Sequence, residues 1–310
     1  MISRRNIRVK VMQTLYTLDS VSGDMKTGEP EAILSTKIEQ SRNLFTYIVY
    51  FVTQLARFAE TDALQKASKH LPSADDLSVN TKISGNQILW KIVEDKSFKK
   101  VIKEEGLEQL MDNGLLKKIY NDLVQSDKYK NYIEEQSRDK KSEKKILDFI
   151  FSDQLLPNED FINHLEENFI NWDDDAELMQ TLILNYFNKP TPDVFSEILS
   201  KEKWDFAKDL LKTVIEKAPH LLELIKPKLK NWDADRIAAL DLILLQMGIC
   251  EFLYFETIPT KVTINEYIDL AKAYSTNQSG QFVNGLLDNI HKELTAENKI
   301  HKKNYKNSVL

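Results

Sequence analysis

The clearest hydrophobic pattern in the chain lies between residues 231 and 294, where apolar positions recur every three or four residues in three successive segments. These positions are Ile237, Leu240, Leu244 and Met247 in the first segment, Ile264 and Ile268 in the second, and Phe282, Leu286 and Ile290 in the third. In the second segment Ala271 or the charged Lys272 follows one turn after Ile268. Such spacing places the apolar side chains on one face of a helix. Three helices joined by short loops predict a compact antiparallel bundle.

Local capping signals suggest where these helices begin and end. Asp233 is placed to cap the first helix, and Pro259 marks its end. Thr263 and Glu266 match the T-x-x-E capping box, so we expect the second helix to begin there. The pattern therefore predicts helix starts near residues 233 and 263.

The rest of the chain is also typical of helices. Ser3 is a suitable N-cap for a first helix whose apolar stripe starts at Ile7. Residues 31–70 predict a long helix with the buried stripe Leu44, Ile48, Phe51, Val52 and Leu55, and residues 86–150 predict shorter helices. Only eight glycines and eight prolines occur in 310 residues. This composition favours long helices over a turn-rich β fold, and we predict an all-α protein.

A five-residue segment is nearly repeated in the chain. Asn171-Trp172-Asp173-Asp174-Asp175 returns sixty residues later as Asn231-Trp232-Asp233-Ala234-Asp235, each time between apolar helical segments. One interpretation is a duplicated helical unit. The other is two independent helix starts with an Asp cap and a Trp outside it. The sequence leaves both open.

The net charge of −6 by itself disfavours a nucleic-acid partner. The charges are distributed unevenly along the chain, however. Residues 1–18 contain Arg4, Arg5, Arg8 and Lys10 and no acid, and the C-terminal residues from 299 are also basic. Residues 153–177 hold nine acids and no Lys or Arg. Because the ends of the chain are basic and the middle is acidic, a polyanion would bind at the terminal segments and not at the middle. A solvated helix start with incidental charge is the alternative for the arginines.

Candidate chemistry is absent from the sequence. The one cysteine, Cys250, lies in an apolar segment, and the five histidines are dispersed without metal-ligand spacing. The chain has no phosphate-binding glycine loop and no nucleophile motif. We therefore expect a protein that is not an enzyme and has no cofactor. No secretory h-region or transmembrane run occurs, which predicts a soluble, cytoplasmic protein.

Four ordered motifs carry a family resemblance. They are D-R-I-A-x-x-D from Asp235, E-x-L-Y-x-x-x-I-P from Glu251, K-V-x-I-N-E-x-I-x-L-A-K from Lys261 and S-G-x-F-V-N-G-x-L-D from Ser279. Together they resemble the C-terminal half of the NusB family of transcription antitermination factors. The basic start S-R-R-N-I-R-V-K is similar to the first helix of that family, and residues 206–232 resemble a family helix pair. The resemblance implies a NusB-like domain of residues 1–20 and 201–298, an inserted helical region of residues 21–200, and a disordered basic tail of residues 299–310.

The function implied by the resemblance is RNA binding in transcription antitermination. Family members bind boxA RNA together with NusE, a small-subunit ribosomal protein, within an RNA polymerase complex that transcribes ribosomal RNA. The residues implied at the RNA are Arg4, Arg5, Arg8, Gln278, Ser279, Gln281 and Phe282. The residues implied at the NusE-facing surface are Tyr16, Glu251 and Tyr254.

Alternatives remain open at this point. Phe282 either stacks on an unpaired base or packs in the core, since its spacing to Leu286 fits both. The chain as a whole could instead be a helical protein-interaction module. It could also be a NusB-like domain of the type found in rRNA cytosine methyltransferases, without its own catalytic part.

Overall fold

The structure is a computed structural model that describes residues 2–20, 28–229, 237–276 and 278–303. Across these residues the regular secondary structure is helical and contains no strand, which confirms the all-α prediction. None of the described helices is long and apolar enough to cross a membrane.

The chain divides into two compact units. Unit 1 comprises Met1–Ile2 and Ile38–Ile198, and unit 2 comprises Ser3–Lys37 and Leu199–Leu310. The helices are α1 (Arg4–Ser20), α2 (Glu29–Ala67), α3 (Ala74–Leu77), α4 (Gln87–Glu94), α5 (Lys96–Glu104), α6 (Asn113–Gln125), α7 (Asp127–Glu134), α8 (Lys140–Phe149), α9 (Glu159–Asn168), α10 (Trp172–Asn188), α11 (Lys201–Ile225), α12 (Ala239–Tyr254), α13 (Thr260–Tyr274) and α14 (Ser279–Ala296). The chain passes from one unit to the other after Ile2, after Lys37 within α2, and after Ile198.

Unit 1 is built around α2. The predicted stripe Leu44, Ile48, Phe51, Val52 and Leu55 is fully buried. Two buried acids join the helices of this unit. Asp175 accepts hydrogen bonds from Ser41 and Asn171, and Glu143 accepts from the hydroxyl of Tyr132 and the backbone N–H of Gln87. Each buried carboxylate is thus satisfied, as burial of a charge requires.

The first copy of the near-repeat marks the start of α10. Asn171 is the N-cap residue, and Trp172 is the first residue of the helix and is buried. Asp175 turns inward, where it holds α10 against α2. The second copy, with Asp233, lies outside the described residues, so the similarity of the two copies stays a prediction. The helix start predicted near residue 233 is wrong, because α12 begins at Ala239 with Ala238 as its N-cap.

Unit 2 is organised around α12, which packs against α1, α11, α13 and α14. A helix that is apolar on nearly every side is expected at the centre of a bundle, and α12 has this composition. The predicted apolar face of α14 is buried at Phe282, Leu286 and Ile290. Gly248 lets α12 and α14 approach closely, because a Cβ atom there would lie 2.9 Å from Cδ2 of Leu287.

In unit 2 the start of α1 agrees with the local sequence signal, whereas the start of α13 and the extent of α11 differ from the prediction. Ser3 caps α1, since its hydroxyl oxygen accepts the backbone N–H of Asn6. The helix start predicted from the capping box at residues 263–266 is wrong, because α13 already begins at Thr260, directly after Pro259. Residues 201–225 form one helix with Pro219 inside it, where the family resemblance implied a helix pair.

Candidate nucleic-acid and partner surfaces

Two arginines of the first helical turn of α1 are exposed. Arg4 pairs with Glu202 of α11 at 2.9 Å, and Arg5 pairs with Asp269 of α13 at 3.3 Å. The arginine side chains are 43% and 42% exposed, and the two acids are more exposed still. Exposed ion pairs of this kind contribute little to stability, so both guanidinium groups remain available to another anion.

Arg8 lies in a different environment from Arg4, although the two are one helical turn apart. Its Nε and Nη2 atoms donate to the two carboxylate oxygens of Glu251 at 2.7 and 3.0 Å. Its guanidinium also faces the rings of Phe206 and Tyr267. The Arg8 side chain is 3% exposed, so it has no free face for a phosphate in this structure.

Glu251 is the centre of a buried polar network. It is 0% exposed and accepts hydrogen bonds from Thr263 and Tyr267, both at 2.9 Å, in addition to those from Arg8. Burial and the neighbouring carboxylate raise the pKa of Tyr267. Burial alone would lower the pKa of Arg8, but its hydrogen bond to Glu251 and the charge of that residue raise it. The Glu251 side chain therefore joins α12 to α1 through Arg8 and to α13 through Thr263 and Tyr267.

This network differs from what the sequence led us to expect. Arg8 was expected at the RNA and Glu251 at a protein partner, yet the two side chains satisfy each other inside unit 2. A buried glutamate needs a cation or donors, and the cation comes from within the chain. Both side chains would have to leave these contacts before meeting a ligand.

The start of α14 separates its predicted RNA residues into exposed and buried groups. Gln278 and Gln281 are exposed. Ser279 is buried and donates to Oδ2 of Asp241 at 2.8 Å, so its hydroxyl is engaged inside unit 2. Phe282 is 8% exposed and belongs mainly to the core.

A surface cavity of about 420 Å³ lies beside these residues. Its lining includes Lys228, Gln278, Gln281, Phe282, Gly285 and Asn289. Nothing lies within 4 Å of the position of a Cβ atom on Gly285, so the helix backbone is open to the cavity there. The cavity offers amide donors and acceptors beside an aromatic side chain.

The remaining residues of the implied partner surface are exposed. Tyr16 of α1 is 48% exposed and Tyr254 of α12 is 39% exposed. The ammonium of Lys217 lies 5.9 Å from the centre of the Tyr254 ring. Amphipathic tyrosines on a surface are typical of protein contact sites.

Several contacts of this region were missed by sequence reasoning. Glu202 and Asp269 meet α1 from positions 198 and 264 residues away, and no local pattern signals such pairs. Lys302 was expected in a disordered tail, yet its ammonium donates to the carbonyl oxygens of Glu251 and Phe255. The sequence shows only that Lys302 is a cation after the last helix. It does not show that this lysine caps the C-terminal end of α12.

These observations define an all-α protein in which one bundle presents exposed arginines at the start of α1 and exposed amides at the start of α14. The family model described as "NusB family" matches residues 160–292, and thus starts within the region that we predicted to be inserted. The chain belongs to the NusB family.

Two relatives in sequence support this assignment. A transcription antitermination protein NusB of Finegoldia magna is 42% identical over 94 residues, which are 30% of this chain and 69% of the relative. The protein of the same name from Methylacidiphilum infernorum is 42% identical over 99 residues, or 32% of this chain and 68% of the relative. A solved structure of T. maritima NusB is 31% identical and covers 43% of this chain and 85% of its own, with a TM-score of 0.30.

Proposed function

We propose that this protein is a non-catalytic, cytoplasmic RNA-binding factor of transcription antitermination that binds boxA-type RNA together with NusE. Membership of the NusB family supports the general role, because relatives carry the name transcription antitermination protein. The contacts with RNA and with NusE are proposed from the family resemblance and from the exposed groups of unit 2. The region of residues 21–200 has no assigned part in this role.

The observation that carries the proposal is the exposure of Arg4 and Arg5 at the start of a helix that Arg8 anchors. Arginine presents a planar fork of donors that suits phosphate oxygens. The acids that now hold the two side chains are solvent-exposed, so phosphate can replace them at small cost. Arg8 then acts through α1, as a positioning residue and not as a contact.

The start of α14 supplies the complementary base-reading groups. Single-stranded RNA is recognised by stacking and by hydrogen bonds to base edges. Gln278 and Gln281 line the cavity with both donors and acceptors, and Phe282 also lines it. Ser279 supports this surface from within by holding α14 to Asp241.

NusE is proposed to dock on the surface of Tyr16 and Tyr254. Both rings are partly exposed and offer the amphipathic contact area that protein interfaces favour. Glu251 lies three residues before Tyr254 in α12 and holds this helix to α1 and α13 through Arg8 and Tyr267. Its charge is already compensated, so docking does not depend on a cation from NusE at that atom.

The first test replaces Arg4 and Arg5 with Ala and measures boxA RNA affinity as a function of salt. Each single-strand phosphate contact contributes roughly −0.7 to the log-log slope, so the variant should lose affinity and about 1.4 units of slope. Lys212→Ala with Lys292→Ala is the matched control, because both lysines are exposed and paired with acids elsewhere. An unchanged slope in the arginine variant, with NusE binding intact, would favour the protein-interaction module instead.

The second arm of the test removes the acids that compete with phosphate. Glu202→Gln with Asp269→Asn should raise RNA affinity by about twofold to thirtyfold, since each of the two exposed pairs is worth roughly 0.2–1 kcal/mol. Glu216→Gln with Asp288→Asn makes the same change of net charge at the pairs of the control lysines. If RNA affinity rises equally in this control variant and in the variant of Glu202 and Asp269, the effect comes from the overall charge. The arginines then have no special role.

A further inference from the structure

The segment that follows α14 returns to the C-terminal end of α12. The ammonium of Lys302 donates to the carbonyl oxygens of Glu251 and Phe255, both at 2.8 Å. The backbone N–H of Lys303 donates to the carbonyl of Glu256 at 3.0 Å, and its ammonium lies 3.3 Å from the carboxylate of the same residue. Two adjacent lysines thus hold the tail on one helix end.

The helix end has the properties of a cation site. The last carbonyl groups of a helix have no intrahelical partner and carry partial negative charge. Lys302 is half-buried there, and burial lowers its pKa while the charges of Glu251 and Glu256 act in the opposite direction. The carbonyl groups therefore accept a partly dehydrated ammonium group, which a lysine on any flexible segment can supply.

The position of this site links it to the partner surface. Tyr254 immediately precedes the C-cap residue Phe255, and its ring is partly exposed. We propose that the C-terminal end of α12 is a lysine-binding site that Lys302 fills within the chain and that a lysine of a basic protein partner takes over on docking. The identity of the partner, NusE, rests on the proposed function, whereas the lysine site rests on the contacts of Lys302 and Lys303.

The contacts of the two lysines that flank Lys302 in the tail are exposed. Lys303 and Glu256 form an exposed ion pair, a kind of pair that contributes little. Lys299 bonds to its near neighbour Glu297 and not to α12. The tail stays attached through α14, so after displacement it remains close as a competitor. The tail therefore lowers the apparent affinity of any partner that uses the same carbonyl groups.

The test compares NusE affinity of the full chain with that of the variant Lys302→Met with Lys303→Gln. Removing the competitor should tighten NusE binding by about threefold or more, which is the effect of one cation at a helix C-terminus. Lys292→Met with Lys299→Gln is the control, because it removes the same charge from α14 and the tail without touching α12. Equal or weaker NusE binding by the tail variant, relative to this control, overturns the proposal.

Hydrogen exchange of the Lys303 amide gives an independent measurement on the unmodified chain. Saturating NusE should speed this exchange, because docking releases the bond to Glu256. Unchanged or slower exchange with NusE bound overturns the proposal. If NusE binds neither chain, the proposed function has failed, and a tetralysine peptide becomes the probe of the site. Faster Lys303 exchange with tetralysine than with tetraglutamate then supports the lysine site, and equal exchange overturns it.

Discussion

Arg8 and Glu251 form a bidentate ion pair in the interior of unit 2, although 243 residues separate them in the chain. The pair joins α1 to α12, and the ring of Tyr267 from α13 closes over it. It explains why one arginine of the basic first helix is inaccessible while Arg4 and Arg5 remain exposed. Helix α1 is anchored at Arg8, and its first turn exposes Arg4 and Arg5 to solvent.

The first prediction concerns the stability of this pair. Glu251→Gln should lower the free energy of unfolding by about 3–5 kcal/mol, because it removes the bidentate carboxylate partner of the buried Arg8 and leaves only the 3.7 Å contact with Glu266. Urea unfolding of the full chain, followed by circular dichroism, measures the change. Replacing both residues, as Arg8→Met with Glu251→Leu, should recover only part of the loss, since the buried ion pair is removed as a whole but the buried hydroxyls of Thr263 and Tyr267 lose their acceptor.

Arg5→Met is the control for that prediction, because its pair with Asp269 is exposed and should cost less than about 1 kcal/mol. Equal losses for Arg5→Met and Glu251→Gln would contradict the structural role of the buried pair. A variant of Glu251 that no longer binds a partner must therefore be checked for folding first.

The second prediction compares two glycines in neighbouring helices. Gly248→Ala should destabilise the protein by about 1–2 kcal/mol, because the new methyl group would lie 2.9 Å from Cδ2 of the fully buried Leu287. Gly285→Ala should be neutral or stabilise by up to about 1 kcal/mol, since nothing lies within 4 Å and alanine favours a helix. Thermal unfolding of both variants tests the pair. If Gly285→Ala were the more destabilising of the two variants, α12 and α14 would not be closely packed at Gly248.

The third prediction concerns pH and unit 1. The ring of His164 contacts the hydroxyl of Tyr47, and burial lowers the pKa of His164 below 6.5, while the charges of Asp112 and Glu167 oppose this shift. The unfolded chain then binds this proton more readily than the folded chain. The contribution of neutral His164 to stability is present above about pH 6.5 and is lost as the pH falls below that value.

His164→Gln should accordingly reduce the loss of stability between pH 7.5 and pH 5.5. Urea midpoints of the wild type and the variant at both pH values give this difference, and the wild type serves as reference for all other titrating groups. His220→Gln is the control, since that histidine is exposed. Parallel pH dependence of the wild type and His164→Gln would show that the Tyr47–His164 contact does not respond to protonation.

The sequence by itself determined the helical class, the position of most helices and the family. Apolar spacing is local, so the stripes of α2 and α14 follow from the 3.6-residue period of a helix. The cap of α1 at Ser3 is equally local, because donor and acceptor are three residues apart. The ordered motifs from Asp235 to Asp288 specified the family for the same reason, since each depends only on its own residues and spacing.

Only the tertiary structure decided which polar residues face solvent. Arg4 and Arg8 have the same chemistry and the same helix, yet one meets the exposed Glu202 and the other the buried Glu251. Thr263 and Glu266 match a capping box, but α13 begins earlier and both side chains turn towards Glu251 and Arg8. Burial and charge pairing depend on segments that are far apart in the chain, and a one-dimensional pattern contains no measure of that proximity.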